Sequence, residues 1–394
     1  MASIITDELD SLKVYHYTDC NNNSSDDVKE MRGIIKENNT VVCRSFPFTP
    51  EYTTEQLSEL EPYTTETIRW YESQEGTILR LWEHEGKWNL STHRKINSFL
   101  SKWGGNSSYG ELFLKALHNT KGTWLKTSWA DDDGEEEDKQ DIFNEFCKLC
   151  NKDYIYVLLI RNTDANRIVV KGYTEPQLFC LGTFHRPTNF KYSPAPSAFP
   201  IKMPSEVKQS SLQGLADYVM KYVNPLKLQG LIGITASGKM IKLVHPKYYL
   251  YEQSRGNASS LDFRYIQLLH KQETKALFTE LYDDSSESFK EIDEILDSIC
   301  TNIFKKYLQR YIHKQVAVLP PYQFNVCKTL HERYITKEIE KVTPDIIRST
   351  VFNLHEKELY SFVKQYKKTK KQHGNGNFVD QTSKQSILIH RARA

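Results

Sequence analysis

A short acidic segment, Ser73-Gln74-Glu75-Gly76, opens a run of residue types that could hold a nucleotide. The acid-glycine pair is followed by a strand-like stretch, a short turn, a second strand-like stretch and the basic segment Ser91–Lys95. This order is the layout of a nucleotide pocket, with Arg94 and Lys95 placed to meet phosphates. Ser73 could act as a nucleophile only if a base activated its hydroxyl, and the sequence identifies no such base.

The segment lacks the amine that covalent nucleotide transfer needs. In that chemistry a lysine amine attacks the α-phosphate of ATP and carries AMP as a phosphoramidate. No lysine occurs from position 37 to position 86, so a small shift in alignment cannot supply one beside Ser73. The pocket layout is therefore present without its nucleophile.

Bulk composition indicates an ordinary intracellular protein. The chain has 394 residues, a formal charge of +2 and 26% charged residues, so a polyanion would have to be bound by local patches. Seven cysteines, an odd number at scattered positions, favour a reducing compartment over a disulfide framework. No long apolar run or secretory signal is visible, so we expect a cytoplasmic protein without membrane contact.

The first two thirds of the chain read as strands with interspersed helices. We expect hairpins over 28–50 and 77–92, strands over 154–160 and 167–170, and a strand pair over 230–235 and 239–250. We expect helices over 107–119, 138–150 and 205–223, a solvated acidic loop over 131–138, and a proline-rich loop over 185–206.

From about residue 260 the pattern is helical. Apolar residues recur at helical spacing from Ile292 to Tyr311, and Thr343-Pro344-Asp345 reads as the start of a helix that runs to the lysine cluster at 367–371. The expected organisation is an α+β domain of antiparallel sheets flanked by helices over 1–258, an all-helical domain over 259–372, and a disordered tail over 373–394.

Five short motifs, in order, resemble those of the bacteriophage RNA ligases of the covalent nucleotidyltransferase superfamily, especially divergent members carried by large cytoplasmic DNA viruses. Motif I corresponds to Ser73–Gly76, and a basic strand segment to Leu90–Lys95. The motif III neighbourhood corresponds to 154–178, motif IV to Gln229–Gly233 and motif V to Met240–Tyr249.

The resemblance implies a nucleotidyltransferase-like fold with ATP and Mg²⁺ as cofactors and RNA or a nucleotide as the bound partner. It implies nucleotide contacts by Arg32, Arg44, Glu75 and Lys242, and nucleic-acid contacts by Arg94 and Lys95.

The departures from the family pattern fall on the residues that do chemistry. Ser73 replaces the motif I lysine, Gln229 replaces the motif IV glutamate, and Val244 replaces the second motif V lysine. The motif III strand offers Leu158, Leu159 and Ile160 where active relatives place a glutamate. We therefore expect a catalytically degenerate protein without catalytic or metal-binding residues that retains nucleotide or nucleic-acid binding.

Two alternatives stay open at this stage. The protein could be an active ATP-dependent RNA ligase with a displaced nucleophile, for which Lys87, Lys95 and Lys242 are the nearby candidates. It could instead be a structural or assembly protein whose old pocket is filled by side chains. His93 is expected at the surface, a phosphate contact being the alternative. The state of the cleft beside Ser73 and Lys242, open or packed shut, separates these interpretations.

Overall fold

The computed structural model describes residues 3–65, 67–124 and 137–373. The chain divides into two compact units, with the boundary between Gln253 and Ser254. Residues 131–136 of the expected acidic loop, and the expected tail from residue 374, lie outside the described residues. The functional domain assignments at 1–258 and 259–372 stay predictions.

The first unit is built mainly from antiparallel strands. Its described strands are β1 Ser3–Leu9, β2 Leu12–Tyr17, β3 Arg32–Glu37, β4 Thr40–Cys43, β5 Glu51–Thr53, β6 Ile68–Ser73, β7 Gly76–His84, β8 Lys87–Thr92, β9 Tyr154–Arg161, β10 Leu178–His185, β11 Lys191–Ser193, β12 Glu206–Val207, β13 Gly230–Thr235 and β14 Met240–Val244. The sheet orders are β1-β2-β3-β4, β11-β10-β9-β7-β8 and β12-β6-β13-β14-β5, called here the first, second and third sheets. Only the β14–β5 pair is parallel among the described strands.

Helices flank these sheets and make up the second unit, which confirms the expected α+β class with a helical C-terminal region. The described α-helices are α1 Asp26–Glu30, α2 Tyr109–Trp124, α3 Glu137–Lys148, α4 Leu212–Tyr222, α5 Pro246–Arg255, α6 Leu261–Gln267, α7 Gln272–Leu281, α8 Ser286–Tyr307, α9 Pro321–Ile335, α10 Pro344–Phe352 and α11 Glu356–His373. In the described part of the chain, no helix combines the length and apolar character needed to cross a lipid bilayer.

Two hairpins predicted from the sequence are confirmed. β3 and β4 pair across a turn in which Asn38 and Asn39 adopt positive φ angles, a conformation that asparagine tolerates well. β7 and β8 pair across Glu85 and Gly86. The first hairpin is shorter than expected, because residues 26–30 form α1 instead of extending the strand.

Strand β9 is buried on both faces, which explains its continuous apolar sequence. Tyr156, Leu158 and Ile160 face a core shared with α2 and α3. Val157 and Leu159 face a second core, to which the third sheet contributes Tyr71, Ile232, Ile234 and Met240. Successive side chains of a strand point to opposite faces, so a strand between two cores has no polar face. The second and third sheets therefore pack against each other across the second core.

Several predicted boundaries are wrong for identifiable reasons. The strand expected over 239–250 ends at Val244, because Pro246 occupies the first position of α5. The helix expected from 205 begins at Leu212, where the Ser211 hydroxyl accepts a hydrogen bond from the amide of Gly214. Residues 167–170 do not form a strand. The strands that were not predicted are β1, β2, β5, β6, β10, β11 and β12. Of these, β11 lies within the expected proline-rich loop and β12 within the expected helix.

In the second unit, the predicted apolar face of α8 is confirmed from Ile292 to Tyr307. Leu308 and Tyr311, which were predicted to extend this face, lie in a following π-helical turn that has no buried residues. The Thr343 hydroxyl caps α10 by accepting a hydrogen bond from the amide of Ile346, as predicted. α10 ends at Phe352, however, and the lysine cluster lies in the separate helix α11.

Candidate functional site

An open cleft lies between the second and third sheets, beside the segment singled out in the sequence. Its volume is about 260 Å³, slightly below the range of about 300–1,000 Å³ that is usual for small-molecule sites. It is lined by Arg32, Thr49, Glu72, Ser73, Gln74, Gly76, Thr77, Ile78, His93, Leu159, Leu181, Pro204, Gln229, Ile232, Met240 and Lys242. The cleft beside Ser73 and Lys242 is therefore not packed shut.

Ser73 begins a chain of hydrogen bonds that ends on a carboxylate. Its buried hydroxyl donates to Oε1 of Gln229 at 2.9 Å, and Nε2 of Gln229 donates to the Tyr248 hydroxyl at 2.9 Å. Tyr248 in turn donates to Oε2 of Glu75 at 2.9 Å. Burial, reinforced by the charge of Glu75, raises the pKa of Tyr248 well above its usual value. The proton of Ser73 thus points at an amide oxygen, which is too weak a base to activate a nucleophile.

Glu75 holds a loop together instead of facing the cleft. Its Oε1 accepts hydrogen bonds from the amide of Ile168 at 2.7 Å and from Nδ2 of Asn162 at 3.2 Å. Its Oε2 accepts from the amides of Val169 at 2.7 Å and Val170 at 3.1 Å, besides the Tyr248 hydroxyl. These amides would otherwise need a neighbouring strand, so the carboxylate explains why the predicted strand at 167–170 is a loop. Glu75 itself is only 1% exposed and does not line the cleft.

Gly76 permits the close pairing of β7 with β9. A Cβ atom at this position would overlap the carbonyl of Ile160 and would lie 2.9 Å from a methyl carbon of Leu159. The glycine of the motif is therefore required by sheet packing in this chain.

Arg32 places a partly buried positive charge at the cleft wall. One of its terminal nitrogens donates to the Pro47 carbonyl at 3.0 Å and to the Thr49 hydroxyl at 2.8 Å. Among the described residues it forms no ion pair with a carboxylate. Burial accordingly lowers the pKa of Arg32, although Tyr17 and Glu51 act in the opposite direction. A partly desolvated charge without a paired counterion is unfavourable, which makes Arg32 a candidate anion contact.

His93 also lines the cleft, so its predicted surface location is wrong. Its Nε2 is buried and has no hydrogen-bond partner among the described residues. Burial, followed by the charges of Arg32 and Arg80, lowers the pKa of His93 well below its usual value, which keeps the ring neutral at pH 7. A neutral imidazole with a free nitrogen can donate to or accept from a bound ligand.

Arg80 fixes the backbone on both sides of these two residues. Its guanidinium donates to the carbonyl of Gly33, next to Arg32, and to the carbonyl of Thr92, next to His93. Gly33 adopts a positive φ of 70°, and a Cβ there would lie 2.6 Å from the His93 carbonyl oxygen. Sequence reasoning missed Arg80, because an arginine inside the alternating pattern of β7 reads as a solvent-facing residue.

Lys242 lines the cleft on β14 but is already paired. Its Nζ donates to Oε1 of Glu51 at 2.7 Å. The charges of both Glu51 and Lys242 affect the titration of Glu252, on α5. Burial, followed by the negative charge of Glu51, raises the pKa of Glu252 to about 7, while the positive charge of Lys242 opposes the shift. Sequence reasoning did not identify Glu51 or Glu252, since both lie outside the motifs.

The remaining predicted site residues lie away from the cleft lining. Arg44 pairs with Glu30, and its guanidinium lies 6.0 Å from the centre of the Phe190 ring. Lys95 forms an ion pair of 2.8 Å with Asp7. Arg94 is exposed and makes no ion pair within the described part of the chain.

Comparison with known proteins gives partial, distant matches. No family model matches the chain. The immediate-early protein ICP-46 homolog of Invertebrate iridescent virus 6 is 26% identical over 303 residues, which cover 73% of this chain and 64% of that protein. The homolog of Invertebrate iridescent virus 3 is 26% identical over 349 residues, covering 83% of this chain and 72% of that protein. The chain thus spans less than two thirds of the first relative, and both relatives are viral, as the sequence resemblance predicted.

Similar solved structures are RNA ligases. An archaeal ATP-dependent RNA ligase overlaps with a TM-score of 0.40 at 12% identity, covering 74% of this chain and 72% of that chain. A Naegleria gruberi RNA ligase mutant with AMP and Mn overlaps with a TM-score of 0.34 at 10% identity, covering 53% of this chain and 58% of that chain.

Proposed function

We propose that this protein is a catalytically degenerate, RNA-ligase-like nucleotidyltransferase that binds a nucleotide without forming a covalent lysyl-AMP. The observation that carries this proposal is the Ser73–Gln229 hydrogen bond. It occupies the positions at which the family motifs would bring a lysine amine and a glutamate together. Ser73 and Gln229 are both neutral, so the cleft has neither the nucleophilic amine nor the adjacent carboxylate of the family motifs.

The candidate replacement nucleophiles are poorly placed or already engaged. Lys87 lies at the start of β8, opposite His84, and is not part of the cleft lining. Lys95 and Lys242 each hold a carboxylate, at 2.8 Å and 2.7 Å respectively. An ammonium in such an ion pair has no free electron pair with which to attack phosphorus. The displaced-nucleophile alternative therefore has no supporting geometry.

The case for binding rests on the open cleft and on Arg32. If the protein served only as a scaffold, side chains that filled the cleft would make the folded state more stable. Instead, one wall of this cleft keeps the partly buried guanidinium of Arg32, which has no carboxylate partner, and an unpaired nitrogen of His93. We propose that Arg32 and Lys242 contact nucleotide phosphate, and that Arg94 and Lys95 contact nucleic acid. We also propose that the protein acts in the cytoplasm and that residues 1–258 form the binding domain.

The test combines a covalent assay with a binding assay. We expect no labelled protein band after incubation with labelled ATP and Mg²⁺ or Mn²⁺ followed by denaturation. Calorimetry should detect nucleotide binding that Arg32→Gln weakens. Arg69→Gln is the matched control, since Arg69 pairs with Glu206 at the surface of the same unit. A labelled band that survives denaturation and is lost in Lys242→Ala would contradict the proposal and favour an active ligase.

A further inference from the structure

The family resemblance implies a divalent cation with the nucleotide, and the carboxylates near this cleft do not fit one. Mg²⁺ is usually held by one or two carboxylates together with substrate phosphates. Among the described residues, Glu72 lines the cleft, Glu51 pairs with the lining residue Lys242, and the titration of Glu252 is affected by both. Glu75 is joined to Ser73 through Gln229 and Tyr248.

Glu75 and Glu51 are committed to other partners. The two oxygens of Glu75 already accept five hydrogen bonds from surrounding protein groups, so its lone pairs are used. Glu51 is paired with Lys242, and a metal at that carboxylate would face an adjacent ammonium.

Glu72 and Glu252 are unsuitable for different reasons. Glu72 is one of the residues that line the cleft, but its side chain lies on the face of β6 that it shares with Trp70, which packs in the core beneath α4. Burial, followed by the charge of Glu72, raises the pKa of Tyr218 on that helix. The neighbouring Ser73 points into the cleft from the opposite face of the strand. Burial and the negative charge of Glu51 raise the pKa of Glu252 to about 7, so Glu252 is partly protonated at neutral pH, which weakens it as a metal ligand.

The positive charges of the cleft limit how much negative charge a bound ligand can carry. Lys242 is neutralised by Glu51, and His93 is uncharged, so Arg32 supplies the one unbalanced cation among the described lining residues. A phosphate monoester carries about −1.5 to −2 charges at pH 7. A triphosphate carries more, and without a metal it would leave most of its charge unbalanced in a cleft of about 260 Å³. The apolar wall formed by Ile78, Leu159, Leu181, Ile232 and Met240 suits a base.

We propose that this cleft binds a nucleoside 5′-monophosphate, free or at the 5′ end of an RNA strand, through direct contact with Arg32 and without a divalent cation. The proposal rests on the proposed function, because it specifies the ligand of the same cleft.

Calorimetric titration of the full chain with AMP and with ATP, each in EDTA and in Mg²⁺, tests the proposal. We expect the AMP dissociation constant to change by less than about twofold between EDTA and Mg²⁺, and ATP in EDTA to bind at least about tenfold more weakly than AMP. ATP binding that requires Mg²⁺ and exceeds AMP binding would overturn this inference while upholding nucleotide binding. The absence of binding by any nucleotide in every buffer would overturn the proposed function itself.

Further measurements assign the contact and the source of the phosphate. Arg32→Gln should weaken AMP binding at least about tenfold, and Arg69→Gln should change it less than about twofold. If Arg32→Gln does not fold, competition between inorganic phosphate and AMP for the unaltered protein replaces this measurement, and the absence of competition contradicts a phosphate contact.

Short RNA with a 5′-phosphate, compared with the same RNA ending in a 5′-hydroxyl, separates a strand end from the free nucleotide. Tighter binding of the phosphorylated RNA than of AMP identifies the strand end, and the reverse identifies the free nucleotide.

Discussion

Replacing Glu75 by glutamine tests whether this motif residue is structural or contacts the ligand. The carboxylate accepts five hydrogen bonds, so an amide in its place turns one of two acceptor oxygens into a donor. The less costly orientation puts the new NH₂ group at the Oε1 position. There it would face two donors, the Ile168 amide and Nδ2 of Asn162, and remove the acceptor oxygen that both now use.

The expected loss of stability follows from the number of unsatisfied groups. Removing the acceptor of a hydrogen bond inside the protein costs about 1–3 kcal/mol, so its loss at two donors should lower the free energy of unfolding by roughly 2–6 kcal/mol. Tryptophan fluorescence during urea unfolding is a suitable assay, because all six tryptophans precede residue 130 and report on the first unit. Affinity for AMP, measured on the folded variant, should change far less than stability.

Glu206→Gln provides the comparison. It removes one surface ion pair, with Arg69, in the same unit. Surface ion pairs contribute about 0–1 kcal/mol, so this variant should unfold near the unaltered midpoint. Equal stability of the Glu75 and Glu206 variants, with AMP affinity abolished only in Glu75→Gln, would refute the structural role and identify Glu75 as a ligand contact.

Three further predictions concern the cleft and its rim. Ser73→Lys should destabilise the first unit by about 3–5 kcal/mol, because it buries an unpaired ammonium. Adding Gln229→Glu should recover part of that stability without allowing covalent adenylation. Additive effects of the two substitutions on the free energy of unfolding would contradict an ion pair between the new lysine and the new glutamate. Alanine at Arg94 and Lys95 should flatten the salt dependence of single-stranded RNA binding by about 0.7 for each phosphate that is no longer neutralised, as measured by fluorescence anisotropy; an unchanged log–log slope would exclude an interaction of these side chains with the RNA backbone. The folded pKa of Glu252, about 7, exceeds its unfolded value of about 4.3, so its contribution favours folding at low pH and disappears as pH rises between these values. Urea titrations should show Glu252→Gln gaining stability relative to the unaltered protein across that window, and parallel pH profiles would contradict the shift.

The sequence predicted those parts of the fold that local patterns determine. The β3–β4 and β7–β8 hairpins follow from short turns between β-branched runs, and the buried face of α8 follows from its helical spacing. The segment 167–170 has the same β-branched composition as a strand. Its amides, however, are satisfied by a carboxylate more than ninety residues earlier in the chain. No local pattern encodes that partner, so the prediction of a strand was wrong.

The candidate site was predictable where a motif marked it. Ser73, Lys242 and Arg32 line one cleft, although they come from three separate segments. The partners that change their chemistry were harder to foresee. Glu51 pairs with Lys242 because β5 joins the third sheet in a parallel arrangement, and Tyr248 reaches Glu75 because α5 begins directly after β14. Both interactions depend on tertiary packing.

The partly buried guanidinium of Arg32 in the cleft wall makes the stability of this protein depend on the anions around it. Arg32 forms no ion pair with a carboxylate in the described part of the chain, and burial lowers its pKa. An anion in the cleft would offset the desolvation of Arg32 in the folded state alone. By mass action, a ligand at about 100 times its dissociation constant stabilises the folded form by about 2.7 kcal/mol. The ligand-free protein should therefore be cleaved by proteases faster, and unfold at a lower temperature, than the ligand-bound protein. Its lifetime in a cell should increase with the concentration of its ligand.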